Sequence, residues 1–364
     1  AMAATRRVLF GRPLASAEEI GERLSKKKAL AIFSSDAISS SAYATEEILR
    51  ALLLAGVGLA ALNLALPVAI SIALLLGVVA ISYRQVVVAY PTGGGSYSVS
   101  KANLGRLASL VAAAALLIDY VLTVAVSISS ASEQIVAAVP TVGEWQVLIA
   151  VVIVAVITMA NLRGVREAGN IFSVPTYLFV GSALLMIVLG AWQLIVEDAG
   201  SGYPSIEETS MDIASMAILL LAMRAFASGA VALTGTEAIA TGVPSFQPPE
   251  SKNAAATLAV MAVLLATLFI GITFLASGYG VVPSEDATVL SQVSAYVFGN
   301  ESLGFYLFLT FAAVILMLAA NTSFSAFPRL AAVLAADNFF PRRFAYRGDR
   351  LAFTAGIVVL GLLA

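Results

Sequence analysis

A ten-residue stretch, Ser34 to Tyr43, combines one carboxylate with six hydroxyl groups inside a segment that is otherwise apolar. An acidic side chain at the centre of a bilayer costs about 2.5–3.5 kcal/mol on insertion scales, so an embedded aspartate usually serves a function. Asp36 is therefore the first candidate for a ligand-binding residue. Serine hydroxyls can bond back to the backbone and compete with the hydrogen bonds of the helix, so this serine cluster predicts an interruption that exposes backbone groups to a solute.

Two further stretches combine polar residues with a helical pattern. Asp119, Thr123 and Ser127 follow one another at intervals of four, which places them in one polar stripe along about 12 Å of helix. A later segment has two glycines six residues apart, at 229 and 235, just before Glu237. These glycines predict a second helix interruption.

The composition restricts the class of protein. Of the 364 residues, 60% are hydrophobic and 12% are charged, whereas soluble domains are about 25% charged. We therefore predict a polytopic, all-α membrane protein. Histidine and cysteine are both absent, so proton coupling would require a carboxylate, a tyrosine or a water chain. The sequence offers no nucleophile–base pair or metal-ligand set, and we predict that the protein is not an enzyme.

The hydrophobic pattern predicts eight spans and the start of a ninth, within which the chain would stop. The predicted spans cover 29–54, 62–82, 107–136, 145–162, 171–195, 213–243, 254–279, 303–330 or beyond, and a final apolar run from 351 to 364. The glycine-rich stretch 90–97 is predicted to be a re-entrant or surface turn.

The charges predict the orientation of these spans. Of the 20 Lys and Arg residues, all but Arg50 and Arg224 fall in segments that the alternation of spans places on the N-terminal side. By the positive-inside rule the N-terminus is cytoplasmic.

The two interrupted spans, the first and the sixth, lie five spans apart and must cross the membrane in opposite directions. This arrangement is expected of an inverted repeat with a binding site at the midplane between the two interrupted helices. We accordingly predict a cytoplasmic lead-in (1–28), a first repeat (29–200) and an incomplete second repeat (201–364).

Several motifs resemble the APC (amino acid–polyamine–organocation) superfamily, and more narrowly its KUP-type, KimA-like high-affinity potassium importers. The motifs are those at 34–46, 82–85, 90–97, 119–127, 232–239 and 320–328. The resemblance implies a LeuT-like fold of twelve helices, proton-coupled potassium uptake across the plasma membrane and a homodimer. It also implies a cytosolic C-terminal domain, beyond residue 364, that responds to cyclic di-AMP.

The resemblance also implies a cation pathway. Its residues would be Asp36, Tyr43, Asp119, Thr123, Ser127, Thr234 and Glu237. Asp36 and Thr234 would be potassium ligands, because a partly dehydrated potassium ion needs several oxygen ligands. Glu237 or Asp119 would carry the coupling proton, since burial favours the neutral form of a carboxylate. Potassium would be the substrate, and no cofactor is expected.

Other interpretations of these residues remain open. Asp36 could cap the second half of a broken helix, Asp119 could form an ion pair with Arg224, and Thr123 and Ser127 could be small residues at a helix contact. Glu46 and Glu47 are expected near the outer mouth in a solvated position.

Other functions also remain open. The main alternative is a permease for a cationic amino acid or a polyamine, whose ammonium groups would accept the same carboxylates. A passive channel is the next alternative, although paired broken helices favour alternating access.

Overall fold

The computed structural model describes residues 23–54, 59–91, 93, 95–162, 168–200, 202, 215–284, 287–346 and 353–364, with residues 168–172 and 215–217 described by their backbone alone. Within these ranges the chain is almost entirely helical and forms no β-strand, apart from an isolated bridge between Leu24 and Phe246. The all-α prediction is therefore confirmed. Residues 1–22 of the predicted lead-in lie outside the described ranges.

The first predicted span is divided into three short helices, as the serine cluster indicated. The three helices are α1 (Lys26–Phe33), α2 (Ser35–Ser40) and α3 (Ala44–Leu53). The chain bends at Ser34, and the turn at 41–43 is closed by i to i+3 backbone hydrogen bonds instead of i to i+4 bonds.

Long helices make up most of the remaining chain. They are α4 (Ala65–Ala89), α6 (Arg106–Ala138), α7 (Gln146–Leu162), α8 (Ala168–Val196), α9 (Ser215–Gly229), α11 (Glu250–Tyr279) and α13 (Leu303–Ala336), with the shorter α5 (Ser96–Asn103), α10 (Glu237–Thr241), α12 (Val289–Phe298) and α14 (Thr354–Leu363) between or after them. Among the described residues, seven helical segments are long and apolar enough to cross a membrane. These seven correspond to predicted spans two to eight.

One predicted helix end was wrong. Helix α4 does not end at Ser82 but continues to Ala89, because residues 83–89 contain no proline or glycine that would end the helix before Pro91. The predicted turn is present before Ser96, where the Gly93 N–H donates to the Tyr90 carbonyl at 3.1 Å, but Ser96 and Tyr97 already belong to helix α5. The connection before the eighth span contains α12, whose start is capped by the Thr288 hydroxyl, which accepts a hydrogen bond from the Ser291 N–H at 3.1 Å.

Helix packing places the two interrupted segments side by side. Helix α2 packs against α13, and α3 packs against α9, while α6 lies along α13 and α4 lies along α11. At Gly229, the last residue of α9, a Cβ atom would collide with the side chains of Ile48 and Ile72. The small residue thus lets the α9 and α3 backbones approach closely.

Candidate functional site

The second interruption lies between α9 and α10. A short 3-10 helix (Ala230–Leu233) follows α9, and the backbone then leaves helical geometry at Thr234, which has a ψ of 155°. Gly235 has a φ of +75°, a left-handed conformation that glycine adopts without steric cost. The predicted break in the sixth span is therefore present, and Gly235 is the residue that permits it.

The two interruptions contact each other directly. A Cβ atom on Gly235 would lie 2.6 Å from the backbone N of Ala37 and 2.9 Å from Oδ2 of Asp36. The Ser40 hydroxyl also lies 3.2 Å from the carbonyl oxygen of Ala232, to which it can donate a hydrogen bond. Asp36 is thus packed against the point where the second helix opens.

The carboxylate of Asp36 is buried and incompletely paired. Its exposed fraction is 4%, and its Oδ1 atom has no hydrogen-bond partner among the described residues. A buried charge is stable only when it is paired or hydrogen-bonded. The environment of Asp36 therefore favours a positively charged partner at this position.

The serines around Asp36 hydrogen-bond back to their own helix. Ser39, Ser40 and Ser41 donate to carbonyl oxygens three residues earlier, at 2.8, 2.6 and 2.7 Å. Donation uses the hydroxyl hydrogen but leaves lone pairs on the oxygen. These buried hydroxyls can therefore still act as oxygen ligands for a cation.

Tyr43 and Thr234 join the same cluster from opposite sides. The Tyr43 phenol is buried, interacts with the Thr234 side chain and lies within the field of the Asp36 charge. The Thr234 hydroxyl donates to the carbonyl of Val231 at 3.0 Å. Three of the predicted site residues, Asp36, Tyr43 and Thr234, are therefore together.

The polar stripe of α6 consists of Asp119, Thr123 and Ser127. Asp119 is half-buried, and its charge interacts with those of both Asp36 and Glu237. Thr123 and Ser127 are buried further along the helix, and the Ser127 hydroxyl has no partner in the described part of the chain. Neither hydroxyl forms a hydrogen bond to Asp36 among the described residues, so their place in the cation pathway stays a prediction.

Arg224 is not a partner of Asp119. Its side chain is exposed on α9, beside the exposed Leu220 and Met223. The ion pairs within the described ranges join Arg23 to Glu250, Arg50 to Glu46, and Lys101 to Asp337. The interpretation of Asp119 as half of an ion pair with Arg224 is therefore wrong.

Glu237, the first residue of α10, is hydrogen-bonded to Ser96, the first residue of α5. Its Oε1 accepts the Ser96 N–H at 3.0 Å, and its Oε2 accepts the Ser96 hydroxyl at 2.6 Å and the Tyr83 hydroxyl at 3.2 Å. A Cβ on Gly95 would lie 2.6 Å from Oε1 of Glu237, so a larger residue there would displace the Glu237 carboxylate. We refer to Glu237, Ser96 and Tyr83 as the α10 latch.

Glu46 forms a second buried contact on the other side of the Asp36 cluster. The prediction of a solvated Glu46 was wrong, because its exposed fraction is 4%. Its carboxylate accepts hydrogen bonds from Arg50 at 2.5 Å and from the Val289 N–H, at the start of α12, at 3.1 Å. Helix α12, which the sequence did not predict, supplies the partner that permits this burial.

The acidic side chains of the described site do not form a metal-binding cluster. In the described ranges, no group of three Asp, Glu, His or Cys side chains is close enough to hold a metal ion. Sequence reasoning did not select Tyr83 and Ser96 as site residues, although both lie in motifs that carry the family resemblance. It also did not select Ser323 of α13, whose buried hydroxyl has no partner in the described part of the chain.

The fold and the site together define a class of protein. Seven helical segments of membrane length, one of which contains the second interruption, pack with the divided first span, and the two interruptions meet at a buried carboxylate. This is the architecture of a multi-pass membrane transporter. The sequence profile of the amino acid permease family matches residues 24–364. The chain belongs to this family, and the prediction of a transporter instead of an enzyme is confirmed.

One curated relative is similar over almost the whole chain. It is the potassium transporter KimA of Bacillus subtilis (strain 168), which is 46% identical over 358 residues, or 98% of this chain. The match covers 58% of the length of that protein. The similarity confirms the resemblance found from the motifs.

Proposed function

We propose that the protein imports potassium by proton symport with alternating access. The observation that supports this most strongly is the unpaired, buried Oδ1 of Asp36 at the contact between the two interrupted helices. A single negative charge surrounded by hydroxyl oxygens suits a monovalent cation that sheds part of its hydration shell. The similarity to a protein named as a potassium transporter supports the same substrate.

The charge at the site argues against a zwitterionic amino acid. Permeases of this fold hold a substrate carboxylate on free N–H groups in the first interrupted helix. Here that interruption contains Asp36 and no glycine, and the Asp36 charge would repel a carboxylate. A cationic amino acid or a polyamine is the second candidate, because its ammonium group would suit the same acid.

Two carboxylates, the half-buried Glu237 and the buried Glu46, form the proposed gates. Glu237 holds α5 against α10 on one side of the Asp36 cluster, and Glu46 holds α12 against α3 on the other. Alternate release of these contacts would open the site to one side at a time. The coupling proton would be carried by Asp119 or by Glu237, whose charges interact with each other.

The cellular arrangement is part of the same proposal. The membrane would be the plasma membrane, the N-terminus would be cytoplasmic, and an inverted repeat would relate 29–200 to 201–364. A homodimer and regulation by cyclic di-AMP, which the family resemblance implied, stay predictions.

Uptake of potassium into a potassium-starved bacterial strain tests the proposal. We expect Asp36→Asn to reduce uptake roughly tenfold or more, because a buried contact to a charged group contributes on the order of 1.5–3 kcal/mol. The matched control is Asp198→Asn, at an exposed position after α8, which should import like the parent. A proton uncoupler should abolish uptake by the parent.

Two results would contradict the proposal. If Asp36→Asn imports as well as the parent, Asp36 is not a ligand. If the parent rescues growth on lysine or a polyamine but not on low potassium, the second candidate replaces the first.

A further inference from the structure

A groove on the outer surface of the bundle, between α4 and α11, has no role in the proposed transport cycle. It has a volume of about 490 Å³ and is lined by Ile81, Arg84, Gln85, Val88, Ala89 and Ala255. It lies near the end of the bundle that carries exposed basic side chains, which we call the basic end. That end is defined by Lys26, Lys101, Arg106, Lys252 and Arg342.

The wall formed by α4 is an exposed apolar stripe. Leu74, Val78, Ile81 and Val88 are each at least 60% exposed, and their spacing places them on one side of the helix. In a membrane-spanning helix, such a stripe faces lipid acyl chains. Arg84 lies between Ile81 and Val88, five residues or about 7.5 Å from the end of α4.

Arg84 brings an uncompensated charge to this groove. Its side chain is exposed and forms no hydrogen bond or ion pair among the residues that the structure describes. None of the groove-lining residues is acidic. A charged side chain near the hydrocarbon region is costly unless it reaches a partner, so the position favours an anion.

A second cation lies next to the groove. Lys252 is exposed on α11, one helical turn from the groove-lining Ala255 and closer to the basic end. A guanidinium group binds a phosphate through two parallel hydrogen bonds, and an ammonium group adds a point charge. Basic pockets between membrane helices are known to bind anionic lipid head groups.

We propose that this groove binds an anionic phospholipid, with its phosphate on Arg84 and near Lys252 and an acyl chain along the α4 stripe. A free phosphate ion would leave the apolar stripe uncovered. A second copy of the chain would have to bring an acidic surface to Arg84, whereas the exposed side chains around this end are predominantly basic. The combination of a cation and an apolar stripe is therefore best matched by a lipid.

Titration of the purified protein in detergent with phosphatidylglycerol tests this proposal, with bound lipids counted by native mass spectrometry. We expect Arg84→Gln to weaken binding of one lipid per chain at least about fivefold, and Lys252→Gln to have a smaller effect. Ala255→Trp fills the groove without changing the charge and should also weaken binding. Arg342→Gln, which removes an exposed cation of the same end away from the groove, is the matched control.

Further arms of the experiment distinguish the source of the anion. Phosphatidylethanolamine and inorganic phosphate should fail to compete for the tight site in the parent. The proposal is overturned if Arg84→Gln binds phosphatidylglycerol like the parent, if Arg342→Gln has the same effect, or if inorganic phosphate competes fully. A change in oligomeric state on Arg84→Gln or Ala255→Trp, without loss of bound lipid, would instead assign the groove to a second copy of the chain.

Discussion

Asp36 and Gly235 are in contact, although they lie 199 positions apart in the sequence. Gly235 adopts a left-handed conformation, and its backbone lies close to Asp36. In any other residue, the side chain would collide with the Asp36 carboxylate. The glycine therefore serves two purposes, because it opens the second helix and provides space for the carboxylate. A site of this kind is sensitive to a change of a single methyl group.

Gly235→Ala should lower both thermal stability and potassium uptake. The left-handed backbone costs an L-residue roughly 1–2 kcal/mol, and the new Cβ would lie 2.6 Å from the Ala37 backbone. The matched control is Gly77→Ala in α4, where no heavy atom lies within 4 Å of the added Cβ. That change should be neutral or stabilising by up to about 1 kcal/mol. Equal melting temperatures for the two variants would show that Gly235 is not constrained.

At the scale of elements, two short helices, α5 and α12, are each attached to a neighbouring helix by a carboxylate. Helix α5 is held against α10 by the α10 latch, and α12 is held against α3 by Glu46. Helix α5 buries only Tyr97, whereas α12 buries six of its ten residues. Local opening therefore costs less at α5 than in the well-packed helices around it.

Removing the hydroxyls of the α10 latch should expose the interior. The protein has no cysteine, so Thr236→Cys, at a buried position beside Gly235, can report access of a small alkylating reagent. Adding Tyr83→Phe and Ser96→Ala removes two hydrogen bonds to Glu237. This should raise the alkylation rate at least roughly tenfold, because a net contribution of about 0.7 kcal/mol from each bond already gives that factor.

Ser100→Ala, on the same helix but without a hydrogen bond to Glu237 in the described structure, serves as the control for alkylation. If Ser100→Ala raises the alkylation rate as much as Tyr83→Phe and Ser96→Ala do, the cause is general loosening of α5 and not loss of the α10 latch.

The far end of α13 is attached to α5 outside the membrane. Asp337 accepts hydrogen bonds from Lys101 at 2.6 Å and from the Tyr97 hydroxyl at 2.5 Å. The hydrogen bond from Lys101, followed by that from Tyr97, holds the pKa of Asp337 below its usual range. A lowered pKa in the folded state means that the carboxylate stabilises the fold at neutral pH and that this contribution is lost as the pH falls through the lowered pKa.

Asp337→Asn should therefore lower the melting temperature at neutral pH by a small amount, since exposed ion pairs contribute at most about 1 kcal/mol. The difference from the parent should begin to shrink as the pH falls below the usual aspartate pKa of about 3.9, and it should disappear below the lowered pKa of the folded state. Thermal unfolding monitored by tyrosine and tryptophan fluorescence measures both values. Glu144→Gln, at an exposed position, is the control, and a difference that persists in acid would contradict the assignment.

At the scale of the whole molecule, the charges separate along the bundle axis. Apart from Arg50 and Arg224, the described bases lie at the basic end, while exposed acids such as Glu144, Glu197 and Asp198 lie in the connections at the opposite end. The negative surface potential of a cytoplasmic leaflet attracts basic residues near the membrane. The asymmetry therefore supports the proposed orientation, with the basic end in the cytoplasm.

Single cysteines test this orientation in the cysteine-free chain. Glu144→Cys should react with a membrane-impermeant thiol reagent in intact cells, whereas Arg342→Cys should react only after the cells are broken. Both positions are exposed, so accessibility within the protein is matched. The reverse labelling pattern would invert the topology and the assignment of the two gates.

The sequence by itself determined the features that depend on local composition and spacing. A long apolar run must become a membrane helix, and serines clustered within such a run compete with its backbone hydrogen bonds. These rules located Asp36 and the first interruption, the two glycines at 229 and 235 located the second, and the family resemblance added Tyr43 and Thr234. The tertiary structure alone decided which distant groups meet. It brought Gly235 into contact with Asp36, Ser96 with Glu237, and Val289 with Glu46. The partners of each carboxylate lie more than a hundred residues away in the sequence, and no local pattern encodes such contacts.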